Sequence, residues 1–153
     1  VTGNCDYPGV LERLEDLGFD LEGKGIAVEN MGFFGLGGSN PTPFNTPNEM
    51  GEDKIKDILE KGYRSIRDMP VKVLVSHPPP RGTRCDITGS GAHAGSRAVR
   101  DFIQANQVDY CLCGHIHEAR SLDYVGRTRV INPGPLHMGY GVIDTDRGEA
   151  TIF

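Results

Sequence analysis

Two imidazoles set two residues apart at the end of a short strand-like run constrain this chain more than any other feature. Residues 108–112 lead into Cys113-Gly114-His115-Ile116-His117-Glu118, so a strand that ends in glycine delivers His115 and His117 at its carboxyl end. Open α/β sheets place ligands there. Two more stretches finish in the same manner: Val1-Thr2-Gly3-Asn4-Cys5-Asp6, and residues 71–76 followed by His77-Pro78-Pro79. Taken together they read as a metal site assembled from several strand ends.

The chain has 153 residues, the length of a single domain able to bury a sizeable core. Its 16 basic and 21 acidic residues leave a net charge of -5. No basic stripe interleaved with aromatics is present, which argues against binding to a nucleic-acid backbone. No run approaches the ~20 consecutive apolar residues of a membrane span. Cys5, Cys85, Cys111 and Cys113 lie in a chain without the character of a small disulfide-stapled domain, and reduced thiols in a cytoplasmic protein are the expectation. Because Val1 opens the sequence in what reads as a strand end, an amino-terminal segment is expected to precede it.

Hydrophobic periodicity gives a mixed α/β pattern without repeats. Val10, Leu11, Leu14 and Leu17 recur at helical spacing after Pro8, with Gly18 as the stop. Residues 26–28 and 31–36 read as short strands, and 37–45 as a loop. Thr46-Pro47-Asn48-Glu49 has the form of a capping box, opening a helix whose buried stripe is Ile55, Ile58, Leu59 and Ile66. Residues 71–75 are apolar except for Lys72, as in a strand covered on both faces. The stretch 77–95 is expected to be a long functional loop, and 96–104 a helix with Ala98, Val99, Phe102 and Ile103 inward. Strands at 121–125, 128–131, 138–143 and 150–153 complete the pattern, joined by short turns. Crossover helices first and hairpins last predict a pair of mixed sheets with helices outside.

An amide oxygen from Asn4 and imidazole nitrogens from His77, His115 and His117 suit manganese, iron, zinc or nickel better than calcium or magnesium. The rival grouping Cys111-x-Cys113-x-His115-x-His117 superficially resembles a zinc box. In an extended stretch, however, its ends stand about 20 Å apart at ~3.3 Å per residue, and four ligands along one strand cannot close on a tetrahedral ion. Cys111 and Cys113 are therefore expected as small buried side chains on one face of a central strand.

Gly3-Asn4-Cys5-Asp6, His77, Gly114-His115-Ile116-His117 and Asn132-Pro133-Gly134, in that order and spacing, resemble the later motifs of the calcineurin-like metallophosphoesterase family. The cysteine at position 5 and the His-Pro-Pro sequence are most similar to its small prokaryotic members. The resemblance implies a four-layer αββα sandwich of two mixed sheets flanked by helices, with the chain forming the carboxyl-terminal two-thirds or so of the domain. It also implies two divalent metal ions, manganese foremost, hydrolysing a phosphodiester or phosphomonoester. Asn4, His77 and His115 match ligands of one metal and His117 a ligand of the other. The family's Asp-x-His and Gly-Asp motifs have no counterpart in these residues and would lie upstream of Val1, so a preceding segment would be needed to complete the site.

Cys5 stands where many family members have a histidine that protonates the leaving oxygen, and a thiol with a reference pKa of ~8.5 is a poor substitute. Three readings follow: the metals alone carry the reaction, another group such as His93 supplies the proton, or activity is modest and favours good leaving groups. Asp6 reads either as a group orienting Asn4 or a ligand histidine, or as an N-cap before Pro8. Asn132-Pro133-Gly134-Pro135 reads as backbone brought near the metals or as an ordinary tight turn. Arg81, Arg84 and His93 are candidates for gripping phosphate, with solvated surface roles as the alternative; His137 reads as structural. A phosphoesterase acting on a small substrate is the favoured function. A non-catalytic protein-binding scaffold on the same fold and a nuclease are the alternatives, and a homo-oligomer is compatible with all three.

Overall fold

The computed structural model describes all 153 residues. Eight strands and three helices follow one another as α1 (Pro8–Asp16), β1 (Gly25–Val28), β2 (Met31–Leu36), α2 (Glu52–Arg64), β3 (Val71–Ser76), α3 (Arg97–Ala105), β4 (Tyr110–Leu112), β5 (Ser121–Val125), β6 (Thr128–Asn132), β7 (Gly141–Asp144) and β8 (Glu149–Ile152). Six strands form one mixed sheet in the order β1-β2-β3-β4-β6-β5, while β7 and β8 form a second, two-stranded sheet. Within the large sheet β2, β3, β4 and β6 are parallel neighbours, and β1 and β5 run antiparallel at the two edges. The parallel strands therefore end on one side, and β3 and β4 lie at its middle.

Each face of the large sheet has its own apolar layer. Helices α2 and α3 cover one face, where Phe34, Leu59, Leu74, Val99, Cys111 and Val130 are buried. Phe34, Tyr63 and Phe102 meet there with ring centroids 5.5–5.8 Å apart in tilted and edge-on arrangements, geometries that aromatic quadrupoles favour. On the other face Val73, Tyr110 and Ile131 pack against Ile143, Ala150 and Ile152 of the β7–β8 hairpin. The expected mixed α/β architecture with two sheets is thus present, with helices on the outer face of the larger sheet.

Several local expectations hold with clear causes. Ser96 caps α3 by accepting the Val99 N–H, and the Glu52 carboxylate adds bonds from Ser96 Oγ and the N–H groups of Arg97 and Ala98. Lys72, the polar exception in β3, is buried because its ammonium donates to the Met69 carbonyl. Cys111 and Cys113 are buried within the helix-side core.

Others are corrected. Residues 1–3 do not form a strand; they run as coil held by the Gly38 N–H on the Thr2 carbonyl. Thr46 does not cap a helix: α2 begins at Glu52 behind Gly51. The Glu49 carboxylate does reach back to the Thr46 N–H, at 2.8 Å, yet it also binds Thr42, so the box closes a loop. Asp6 does not cap α1, whose N-cap is Tyr7 without a side-chain bond. Strand β7 starts at Gly141 because residues 136–138 form a 3-10 turn. Gly139 follows with φ 143°, where a Cβ would lie 1.8 Å from the Phe153 carbonyl oxygen, so the hairpin can close only over glycine.

Candidate metal centre

The parallel strands β3 and β4 end side by side, and a histidine follows each, directly after β3 and three residues after β4. His77 follows Ser76, the last residue of β3, while from Leu112, the last residue of β4, the chain runs through Cys113 and Gly114 to His115. The two ends are tied by the Gly114 N–H on the His77 carbonyl at 3.1 Å. His115 takes a positive φ of 67°, an uncommon and strained conformation for a side chain of this size. The strain falls on the residue that turns its ring toward the cluster. The two rings lie 5.0 Å apart, centroid to centroid, nearly edge-on.

Asn4 closes the group from a third direction. Its Oδ1 is 2.9 Å from His77 Nε2 and 3.2 Å from His115 Nδ1. All three atoms are capable of metal ligation, and all belong to side chains matched to one metal by sequence. Asn4 reaches this point from a turn rather than a strand: the Asp6 N–H donates to the Gly3 carbonyl, and Asp6 Oδ2 accepts the Gly3 N–H at 2.6 Å. No three histidine, cysteine, aspartate or glutamate side chains form a metal-holding group by themselves. The donor set present, two imidazoles and an amide, fits a borderline N/O-preferring ion and carries no negative charge.

A chain of side chains fixes the Asn4 amide. Its Nδ2 donates to Thr46 Oγ1 at 3.0 Å, and the Thr46 hydroxyl donates to Glu49 Oε1 at 2.6 Å. Hydrogen bonds from Thr42 and Thr46 pull the Glu49 carboxyl down to about 2. Glu49 is therefore an anion throughout the neutral range, Thr46 must present its lone pair to Asn4, and Asn4 must turn Oδ1 toward the histidines. Thr46→Val keeps the shape and removes this relay. It is expected to weaken metal affinity about 10–100-fold with little change in the unfolding midpoint, measured by metal titration and thermal denaturation.

Burial pulls the His77 imidazole down to about 4, with the His115 charge reinforcing the effect and Asp6 opposing it. His115 is lowered by burial and by the charge of His117. Both rings thus favour the neutral, ligating form at neutral pH. In metal-free protein the unfolded chain binds a proton near pH 6.5 that folded His77 refuses until about pH 4. Stability is therefore full above pH 6.5 and falls as pH drops through 4, by up to about 3 kcal/mol. Urea unfolding of the metal-free protein from pH 7 to 4 should show this slope, and His77→Gln should flatten it.

The remaining candidates are distributed around this cluster. His117 is exposed at the start of a 3-10 turn, close enough for its charge to act on both other imidazoles. Cys5 is exposed. Arg81 sits at the root of loop 77–95, its carbonyl accepting from Arg100. Arg84 turns toward β5, its guanidinium on the Leu122 carbonyl and beside Asp123. His93 binds Asp86 through Nδ1 at 2.7 Å.

Asn132 has a positioning role. It is fully buried, donates to the Cys85 and Ile116 carbonyls and accepts the Gly134 N–H. It thereby holds the segment between His115 and His117. The sequence signal for it was present in the Asn-Pro-Gly motif. Thr46 and Glu49 also carried a signal, that of a helix cap, whereas Asp86 carried none.

Residues 1–119 match the calcineurin-like phosphoesterase family. The chain belongs to that family. Its members hydrolyse phosphoesters and in general use divalent metal ions. An uncharacterized protein of Methanocaldococcus jannaschii is 40% identical over 156 residues, covering 99% of this chain and 69% of that protein. One crystal structure superposes with a TM-score of 0.80 at 21% identity over 99% of this chain and 63% of its own. A crystal structure from Thermus thermophilus gives 0.63 at 17% identity over 86% and 56%. These likenesses support the fold. The chain spans less than two thirds of either solved protein. No helix is long and apolar enough to cross a membrane.

Proposed function

We propose that this chain forms part of a phosphoesterase that hydrolyses a small phosphodiester or phosphomonoester at a centre of two divalent ions, manganese foremost. The observation that carries the reading is the approach of Asn4 Oδ1, His77 Nε2 and His115 Nδ1 to one another at the ends of two adjacent parallel strands and a braced turn. Asn4, His77 and His115 would hold one ion and His117 would contribute to the second. When bound, such ions supply Lewis acidity and lower the pKa of water.

The chain's own groups prepare the site. Neutral imidazoles at His77 and His115 offer lone pairs without first losing protons. Glu49 and Thr46 fix the face that Asn4 presents, Asp6 holds the turn that carries it, and Asn132 holds the His115 loop. Four neutral ligands leave the charge of two dications uncompensated, so carboxylates other than these four residues would be needed to complete the centre. The acidic balance of the chain favours a small substrate over nucleic acid.

Elemental analysis of the purified protein, paired with hydrolysis of a phosphodiester with and without manganese, tests the reading. Near two metals per molecule with manganese-dependent turnover is expected. Metal-free protein that neither takes up manganese nor turns over substrate contradicts it.

A further inference from the structure

The loop between β3 and α3 is organised around one fully buried carboxylate. Asp86 accepts the Thr83 N–H through Oδ1 at 2.9 Å, and the N–H groups of Gly82 and Gly95 through Oδ2 at 3.1 and 3.0 Å. Three backbone donors from both ends of the loop already satisfy it. Its fourth partner, His93, is of a different kind: the imidazole side chain remains 41% exposed, with Nδ1 2.7 Å from Asp86 Oδ1. A carboxylate on Nδ1 fixes the tautomer and the ring plane and leaves Nε2 directed away from Asp86.

Two ties join the loop that carries this imidazole to the segments that carry Asn4 and His117. Residue Ile87 bridges back to His93, making a narrow hairpin. At its tip the Gly89 N–H donates to Glu118 Oε1 at 2.9 Å, one residue beyond His117. At its base the Ala94 carbonyl accepts from Asn40 Nδ2 at 3.1 Å. Asn40 follows Ser39, which pairs with Asn48, and the Asn48 N–H binds the Asn4 carbonyl at 2.9 Å. The hairpin therefore runs from the Asn4 side to the His117 side. At the Asn40 tie Oδ1 is buried without a donor, an acceptor that internal packing does not use.

We propose that His93 is the proton donor to the leaving oxygen and that Asp86 is the residue that positions it, the two together filling the role for which the Cys5 thiol is unsuited. The inference rests on the phosphoester-hydrolysis reading. In the step, water oxygen bonds to phosphorus and the phosphorus–oxygen bond to the leaving group breaks. The Nε2 proton of imidazolium His93 passes to the leaving alkoxide, and the proton released by water enters solvent, from which His93 is reprotonated.

The test compares two substrates that differ only in their leaving group. One releases 4-nitrophenolate, which departs with little assistance, and the other an alkyl alcohol, which needs a proton. His93→Gln in the complete metal-loaded protein is expected to lower kcat about 100-fold or more for the alkyl ester and less than about 10-fold for the nitrophenyl ester, with metal content unchanged. Histidine 15N NMR is expected to show the Nδ1-protonated tautomer for neutral His93, and Asp86→Asn to abolish that preference. If wild-type protein hydrolyses both esters and His93→Gln lowers them equally or leaves them alone, the proton-donor assignment falls while the phosphoesterase reading stands. If the wild-type protein hydrolyses neither, both fall.

Discussion

His77→Ala is expected to lower phosphoester turnover by well over 100-fold and to reduce bound metal, because it removes one of the three converging donor atoms. Loss of a group that merely orients a ligand costs 10–100-fold, so loss of the ligand itself exceeds that range. His115→Ala should match it, and the double replacement should add little, since each single change already empties the same position. Elemental analysis and kcat, measured together, check this. Retention of full metal content and turnover in His77→Ala would place the ion elsewhere.

Phe34→Ala is expected to destabilise the folded protein by about 3–5 kcal/mol, the usual cost of deleting a large core aromatic. Phe34 is wholly buried between α2 and the large sheet, and its ring touches both Tyr63 and Phe102. Its strand partner in β3 is Leu74, two residues before the end that leads to His77. The packing stabilises the sheet that carries the strand ends without including any of the three converging side chains. Urea denaturation measures the effect. A loss below about 1 kcal/mol would mean that the site collapses around the cavity and that the aromatic cluster is not a principal source of stability.

The two effects are separable because they live on different links of the same chain of causes. Phe34 acts on the scaffold, so its replacement should leave the intrinsic metal affinity of the folded fraction nearly unchanged. Thr46 acts on the direction of one amide and should do the reverse.

The parallel strands of the large sheet are legible in sequence because continuous apolar runs covered on both faces have few alternatives, and β3 and β4 end at or just before their histidines. The approach of His77 and His115 is legible for the same reason, whereas Asn4, which joins them from a turn, is grouped with them by the family resemblance. Residues 1–3 mislead because an extended coil and a strand share the same apolar signature when the deciding partner is a neighbouring loop. Thr46 to Glu49 mislead because hydroxyl and carboxylate groups that cap a helix also close a turn. Nothing local distinguishes these outcomes. Asp86 is invisible because its partners are backbone N–H groups of Gly82, Thr83 and Gly95, brought to it only when the loop folds. Arg84 shows the limit for surface cations, since only the folded β5 reveals that its guanidinium already has a carbonyl and a carboxylate beside it.

The most direct measurement is anomalous diffraction at the manganese edge from crystals of the complete protein grown with manganese. The account predicts a peak within coordinating distance of Asn4 Oδ1, His77 Nε2 and His115 Nδ1, with a second peak about 3.5–4 Å from the first and near His117. Absence of any peak at the ends of β3 and β4, with manganese bound elsewhere or not at all, would contradict it.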